Sequence, residues 1–236
     1  MAGTRQSRSA ALDALAADRG RLVRAGAAQR VAEVLRDRII AGQLTPGTRL
    51  SEEALGEALA ISRNTLREAF RLLAEERLVV HEMNRGVFVR ALTPADVADI
   101  YTMRTALETA GVRAAAAAPA ERRAAVGAAL ADALAAEERA DWLAVGTADL
   151  HFHQAIAALA GSERIDDAMR QLLAELRLAW GAMPSAYDLH EPFLRRNRQL
   201  TALLEAGETA HLEGELTRYL DDARELITDL MRAVAG

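Results

Sequence analysis

The sequence predicts a mainly α protein, an N-terminal winged helix-turn-helix followed by an antiparallel α-helical bundle. Three observations carry this. Between Ser51 and Leu73 two short amphipathic stretches flank a tight turn, and from Leu78 to Arg90 the residues alternate as a hairpin tipped by Asn84-Arg85-Gly86. From Thr93 onward apolar residues recur at helical spacing, with no strand-like alternation.

Residues 1–27 are rich in Ala and Arg, with weak helical periodicity around Ala10 to Val23, and read as a mobile arm. A DNA-binding-sized domain follows over residues 28–92. Val31, Val34, Leu35 and Ile39 mark the inward stripe of its first helix, Gly42 ends that helix, and Thr45-Pro46-Gly47 is a turn. Ser51 caps the next helix, with Glu52 and Glu53 near its positive dipole end. Ser62 caps the one after.

On that third helix Leu66, Ala69, Phe70 and Leu73 share one face and Asn64, Arg67 and Arg71 the other, with Arg63 at the edge of the first turn. Arg77 stands where a left-handed C-cap is expected, at a cost of about 1 kcal/mol relative to Gly. Strands over Val79–Met83 and Val87–Arg90 complete the wing. Ala91-Leu92 is a short hinge, and Thr93-Pro94-Ala95-Asp96 is a helix start with cap, N1 proline and acid in place. Within residues 93–236 the helical pattern breaks at Pro119, around Gly146, at Gly161-Ser162, from Met183-Pro184 to Pro192, and at Gly207, which divides it into about six helices.

A capped helix with a free basic face suits the major groove. Arg can grip a guanine edge there, and Ser, Thr or Asn can reach phosphates or other base edges. The candidate DNA contacts are Ser62, Arg63, Asn64, Thr65, Arg67 and Arg71 on the helix and Asn84, Arg85 and Gly86 on the wing. A core helix with a solvated Arg face would read the same in isolation, because the chain has no lysine and arginine is its only strongly basic residue. The cap, the preceding helix and the wing together favour DNA.

Charge supports that side. Residues 1–92 hold 15 Arg against 11 acids, and residues 93–236 hold 14 against 23, within a net charge of −5. Cysteine is absent, which excludes disulfides, thiolate metal sites and a cysteine nucleophile. No apolar run approaches the ~20 residues of a bilayer span. No nucleophile motif or phosphate loop points to an enzyme, and the expectation is a bacterial cytoplasmic protein associated with the nucleoid and not with a membrane.

Ile40 to Leu50, Ile61 to Phe70, Arg85-Gly86-Val87-Phe88-Val89, Tyr101 to Glu108 and Asp149-Leu150-His151-Phe152-His153 together resemble the GntR-type bacterial transcription regulators. The likeness is to the FadR-like group with an all-helical, FCD-type effector domain, and it spans about residues 28 to 232. It implies a homodimer that binds a double-stranded operator, a short pseudo-palindrome, and responds to a small-molecule effector, with repression the commonest outcome. Many relatives carry a basic residue where Glu53 stands, which implies one missing phosphate contact.

Asp149 and His153 lie four apart on one helix face, a spacing that serves a metal ion or a simple ionic pair. Metal-binding relatives add two His from the last two helices; Asn197 and Tyr219 stand at those positions here. No cofactor is therefore expected beyond a weakly held divalent metal on the partial site Asp149 and His153. The expected effector, an organic acid, would meet Arg104, Asp149, His153, Asn197 and Tyr219, while Arg104 could equally form a helix pair with Glu108. His151, His190 and His211 read as surface or packing residues. The alternative function is a helix-turn-helix protein whose bundle only dimerises and binds no effector.

Overall fold

The structure, a computed structural model, describes residues 19–40, 43–180 and 185–235. The chain packs as two compact units, Met1–Arg90 and Ala91–Gly236.

The first unit begins with α1, Arg19–Ile40, and continues with β1 (Arg49–Leu50), α2 (Glu52–Leu59), α3 (Arg63–Glu75), β2 (Val79–Glu82) and β3 (Gly86–Val89). Helix α1 already runs at Arg19, inside the stretch read as an arm; residues 1–18 and Gly42, the expected helix end, lie outside the described residues. The inward stripe of α1 is Ala28, Val31, Ala32, Leu35 and Ile39, and Val34 is 44 % exposed, which corrects its assignment to the core. Alanines, with no apolar bulk to advertise, take the place given to Val34.

Leu66, Ala69, Phe70 and Leu73 on α3 are fully buried, as the spacing predicted. Truncating Phe70 to Ala would cost about 3–5 kcal/mol through lost transfer energy and the cavity left behind. A bidentate pair from Arg36 to Glu76, both bonds 2.6 Å, ties α1 to the end of α3. Arg77 adopts φ 57°, so the left-handed C-cap strain is accepted rather than avoided.

The sheet has three strands in the order β1-β3-β2, all antiparallel, where the sequence had suggested two. Strand β1 is only two residues long, too short for alternation to show. At the wing tip Asn84 and Gly86 both take positive φ, 62° and 110°, as a three-residue hairpin loop requires.

The second unit is helical throughout its described residues: α4 (Pro94–Ala114), a 3-10 turn at Ala115–Ala117, α5 (Ala120–Glu138), α6 (Trp142–Ala158), α7 (Glu163–Trp180), α8 (Ala186–Glu205) and α9 (Thr209–Ala235). Thr93 and Asp96 form the complete capping box at the start of α4. Pro119, Gly161 and Gly207 fall at breaks. One expected break does not occur: Gly146 lies buried inside α6, the true break being at Ala140, which carries φ 54°. The break expected as far as Pro192 is shorter than that, since α8 begins at Ala186 and takes in Pro192. Met183-Pro184 is outside the described residues.

Gly111 and Gly146 are where the helices come closest. A Cβ on Gly111 would sit 2.0 Å from the Ile156 carbonyl oxygen, so α4 and α6 touch backbone to backbone there. A Cβ on Gly146 would sit 2.3 Å from Nε2 of His190, so the imidazole lies directly on α6. Among the described residues no helix is long and apolar enough to cross a membrane.

Candidate functional site

The first unit presents the basic face of α3. Ser62 caps it, its Oγ accepting from the Thr65 amide at 3.2 Å and lying 2.8 Å from the Thr65 hydroxyl. Arg63, Asn64, Arg67 and Arg71 are exposed, and so are Asn84, Arg85 and Gly86 on the wing; Ser62 is also exposed and Thr65 half-buried. All nine expected DNA-facing residues thus reach the surface of the same unit.

The acids on that surface were not singled out as their partners. Arg67 Nε donates to Glu52 at 2.9 Å, Arg71 Nη2 to Glu68 at 2.7 Å, with Glu75 as a second partner, and Arg85 pairs with Glu82. Hydrogen bonds to these carboxylates hold the Arg67 and Arg71 guanidinium groups above their ordinary pKa. All of these pairs are solvent-exposed, so each is weak and is exchanged readily for a phosphate or a base edge. The i, i+3 and i, i+4 spacing of three of them was visible in the sequence; the Glu52–Arg67 pair joins α2 to α3 and was not.

The second unit encloses a pocket of about 290 Å³, mouth included, with Tyr101, Arg104, Asp149, His153, His190 and Tyr219 among its lining. Four helices supply its polar groups. Arg104 on α4 is 2 % exposed, and its Nε donates to Glu108 Oε1 at 3.0 Å, so the helix pair foreseen for it is real. The other oxygen of Glu108 lies 2.6 Å from His153 Nδ1. His153 Nε2 faces Asp149 Oδ1 across 3.7 Å, too far for a hydrogen bond. Asn197 Nδ2 donates to that same Oδ1 at 2.7 Å, and the Tyr219 hydroxyl donates to it at 3.0 Å.

Four buried atoms in and around the pocket remain without a partner: Arg104 Nη2, His153 Nε2 and Trp180 Nε1 on its lining and Asn197 Oδ1 behind it. Orphaned polar atoms inside an apolar bundle are costly and mark a place where a further group is expected. Burial works against the Arg104 cation, but Glu108, Tyr101 and Asp149 outweigh it and raise its pKa. Burial likewise pushes Asp149 upward, yet His153, His190, Asn197 and Arg104 together leave its carboxyl below the usual range. Burial and the Asp149 charge lift Tyr219 well above an ordinary phenol, so its hydroxyl keeps its proton and donates it. Tyr101 is pushed up to about 12, chiefly by burial.

The sequence-predicted set of Arg104, Asp149, His153, Asn197 and Tyr219 is therefore brought together, with Asn197 behind Asp149 rather than on the wall. Sequence reasoning missed His190 as a lining residue. It is 6 % exposed, stacks edge-on against Trp180 at 4.5 Å, and burial depresses it to about 4, so it is a neutral imidazole. Its spacing from Phe193 and Asn197 on α8 places all three on one face, which was the available signal. His151 and His211 are exposed, as expected.

For a metal the donor set is a poor fit. Asn197 and Tyr219 aim hydrogens at the carboxylate oxygen that a cation would need. Among the described residues no cluster of three or more His, Asp or Glu side chains could hold an ion.

Comparison with known proteins gives two family matches. Residues 27–89 match bacterial regulatory proteins of the gntR family, and residues 99–222 match the FCD domain. The Nta operon transcriptional regulator of Aminobacter aminovorans is 28% identical over 186 residues, 77% of this chain and 87% of that one. The gluconate operon transcriptional repressor of Bacillus licheniformis is 41% identical over 88 residues, 37% of this chain and only 36% of that protein's length. Among solved structures, a GntR-type putative transcriptional regulator from Rhodococcus sp. RHA1 superposes with TM-score 0.79 at 46% identity, covering 85% of this chain and 96% of that one.

Proposed function

Because the chain belongs to the GntR family of DNA-binding transcription regulators and carries an FCD domain, we propose that it is a repressor whose grip on its operator is set by a small organic acid held in the bundle pocket. The observation that carries this reading is the pocket itself: a buried arginine, an aspartate and a histidine converge there with polar atoms left unmatched, inside helices otherwise packed with apolar side chains. The protein works as a homodimer, whose two-fold symmetry matches a pseudo-palindromic operator. Ser62, Arg63, Asn64, Thr65, Arg67 and Arg71 enter the major groove, while Asn84, Arg85 and Gly86 follow the backbone beside it. On this reading it needs no metal, because Asn197 and Tyr219 both aim hydrogens at Asp149 Oδ1.

Selection from random duplex DNA tests the reading. A short pseudo-palindrome should be enriched, and Arg67→Ala should weaken binding to it by roughly 5- to 150-fold if that side chain reads a base. Arg85→Ala should weaken binding to all duplexes alike. Enrichment of no sequence over the non-specific background would overturn the operator assignment. A metabolite that shifts operator affinity establishes the effector half, and a bundle that dimerises yet never responds would leave only the alternative of a dimerisation module.

A further inference from the structure

The pocket holds one cation and one anion that do not satisfy each other. Arg104 spends Nε on Glu108 and keeps Nη2 unpartnered at 2 % exposure. Asp149 has no arginine partner: the hydrogen bonds it receives come from an amide and a phenol, both neutral, and both fall on Oδ1. The Asp149 side chain is still 16% exposed, and it lines the pocket. Around these groups stand the rings of Tyr101, Trp180, Phe193 and Tyr219.

A plain carboxylic acid fits only half of this. Its anion would gain Arg104 Nη2, but it would enter a small cavity beside Asp149, a second anion whose nearest cationic candidate, His153 Nε2, is 3.7 Å from it. Like charges brought together in a poorly solvated site repel far more than they would in water. A plain amine fits the other half, gaining Asp149 and the aromatic faces that attract cations, while leaving the Arg104 donor buried and unmatched. Only a ligand carrying both charges completes both ends.

We propose that the bundle pocket takes a zwitterion of the amino-acid type, its carboxylate on Arg104 Nη2 and its protonated amine on the Asp149 carboxylate. This deepens the effector reading and rests on it. The aromatic walls then surround the ligand's remaining side chain, and the small volume limits that side chain in size. Asn197 and Tyr219 have a definite task in such a site: they hold the Asp149 carboxylate in place from behind, on Oδ1, without neutralising it.

The test uses the full chain in chelator-treated buffer, with thermal shift and titration calorimetry as readouts. The probes are the common α-amino acids, each beside its des-amino acid and its decarboxylated amine, for instance alanine, propionate and ethylamine. At least one amino acid should stabilise the protein, with its acid and its amine each binding roughly tenfold or more weakly, as the loss of one charge-assisted contact implies. Asp149→Asn should abolish the preference for the amino acid over its des-amino acid, and Arg104→Gln the preference over its amine. The comparison among ligands on the wild-type protein stands even if a variant does not fold. A des-amino acid that binds as tightly as its amino acid overturns the zwitterion and leaves the acid effector standing. Binding by no member of any set overturns both.

Discussion

Replacing Tyr219 with Phe removes one hydroxyl and leaves the ring in its contacts with His153 and Phe193, both at 4.9 Å. What is lost is the 3.0 Å bond to Asp149 Oδ1. A hydrogen bond to a charged group contributes about 1.5–3 kcal/mol. Asn197 keeps its own bond to the same oxygen, and 16% exposure lets water reach the carboxylate, so the lower end, about 1.5 kcal/mol, applies. For a chain of this size that corresponds to roughly 3–6 °C in Tm. Both tryptophans, Trp142 and Trp180, lie in the second unit, so fluorescence-detected urea unfolding reports on the bundle alone. The decisive measurement is the double-mutant cycle of Tyr219→Phe with Asp149→Asn, which should show a coupling of about 1 kcal/mol or more. Additivity within ~0.5 kcal/mol would refute the claim that the phenol is spent on that carboxylate.

Gly111→Ala should destabilise the bundle by about 1–3 kcal/mol despite the gain in helix propensity, because its Cβ meets backbone rather than a movable side chain; an unchanged urea midpoint would mean that α4 and α6 separate freely. His190, depressed from 6.5 to about 4, makes the unfolded chain bind the extra proton between those values. Its contribution to stability is therefore present above pH 6.5 and lost, by about 3 kcal/mol, as pH falls towards 4. His190→Gln should flatten that part of the stability profile, and an identical slope would contradict the burial argument. The protein should purify without stoichiometric zinc, nickel or manganese and melt at the same temperature with or without chelator, whereas Asn197→His with Tyr219→His should create metal binding; elemental analysis finding one tightly held ion per wild-type chain would refute this.

The elements that the sequence made legible are those where local chemistry decides. The caps at Ser51, Ser62 and Thr93 and the buried stripe of α3 follow from side-chain hydrogen bonding and helical periodicity within a single turn or two. Where tertiary contact decides, reading along the chain fails. Gly146 looked like a break because glycine weakens helices, yet it is retained inside α6 because the His190 ring occupies the space where a Cβ would go. Val34 looked like core because it is apolar, whereas Ala28 and Ala32 are the residues of α1 that are buried instead. Strand β1 is recruited by its partner: Arg49 and Leu50 pair with Phe88 and Val87, and two residues carry no period of their own.

The pocket divides along the same line. Its members could be named from the sequence, but the sense in which they interact could not, because Asn197 and Tyr219 lie 48 and 70 residues from Asp149. Counted by type, an aspartate with a histidine four residues on suggests a cation between them. The geometry reverses that sign. Two hydrogens point at the aspartate oxygen, the Asp149–His153 gap is too long for a bond, and the histidine turns its other nitrogen to Glu108. Neutral donors can orient a carboxylate but cannot cancel its charge, so the field of Asp149 remains for whatever enters the pocket. A site that keeps both a positive and a negative end exposed to its ligand selects by the separation of two charges and not by the presence of one, and the two ends sit on different helices, α4 and α6. The proposed zwitterion would bridge two helices that Glu108 and His153 already tie at 2.6 Å, so its binding would add to that tie rather than create it.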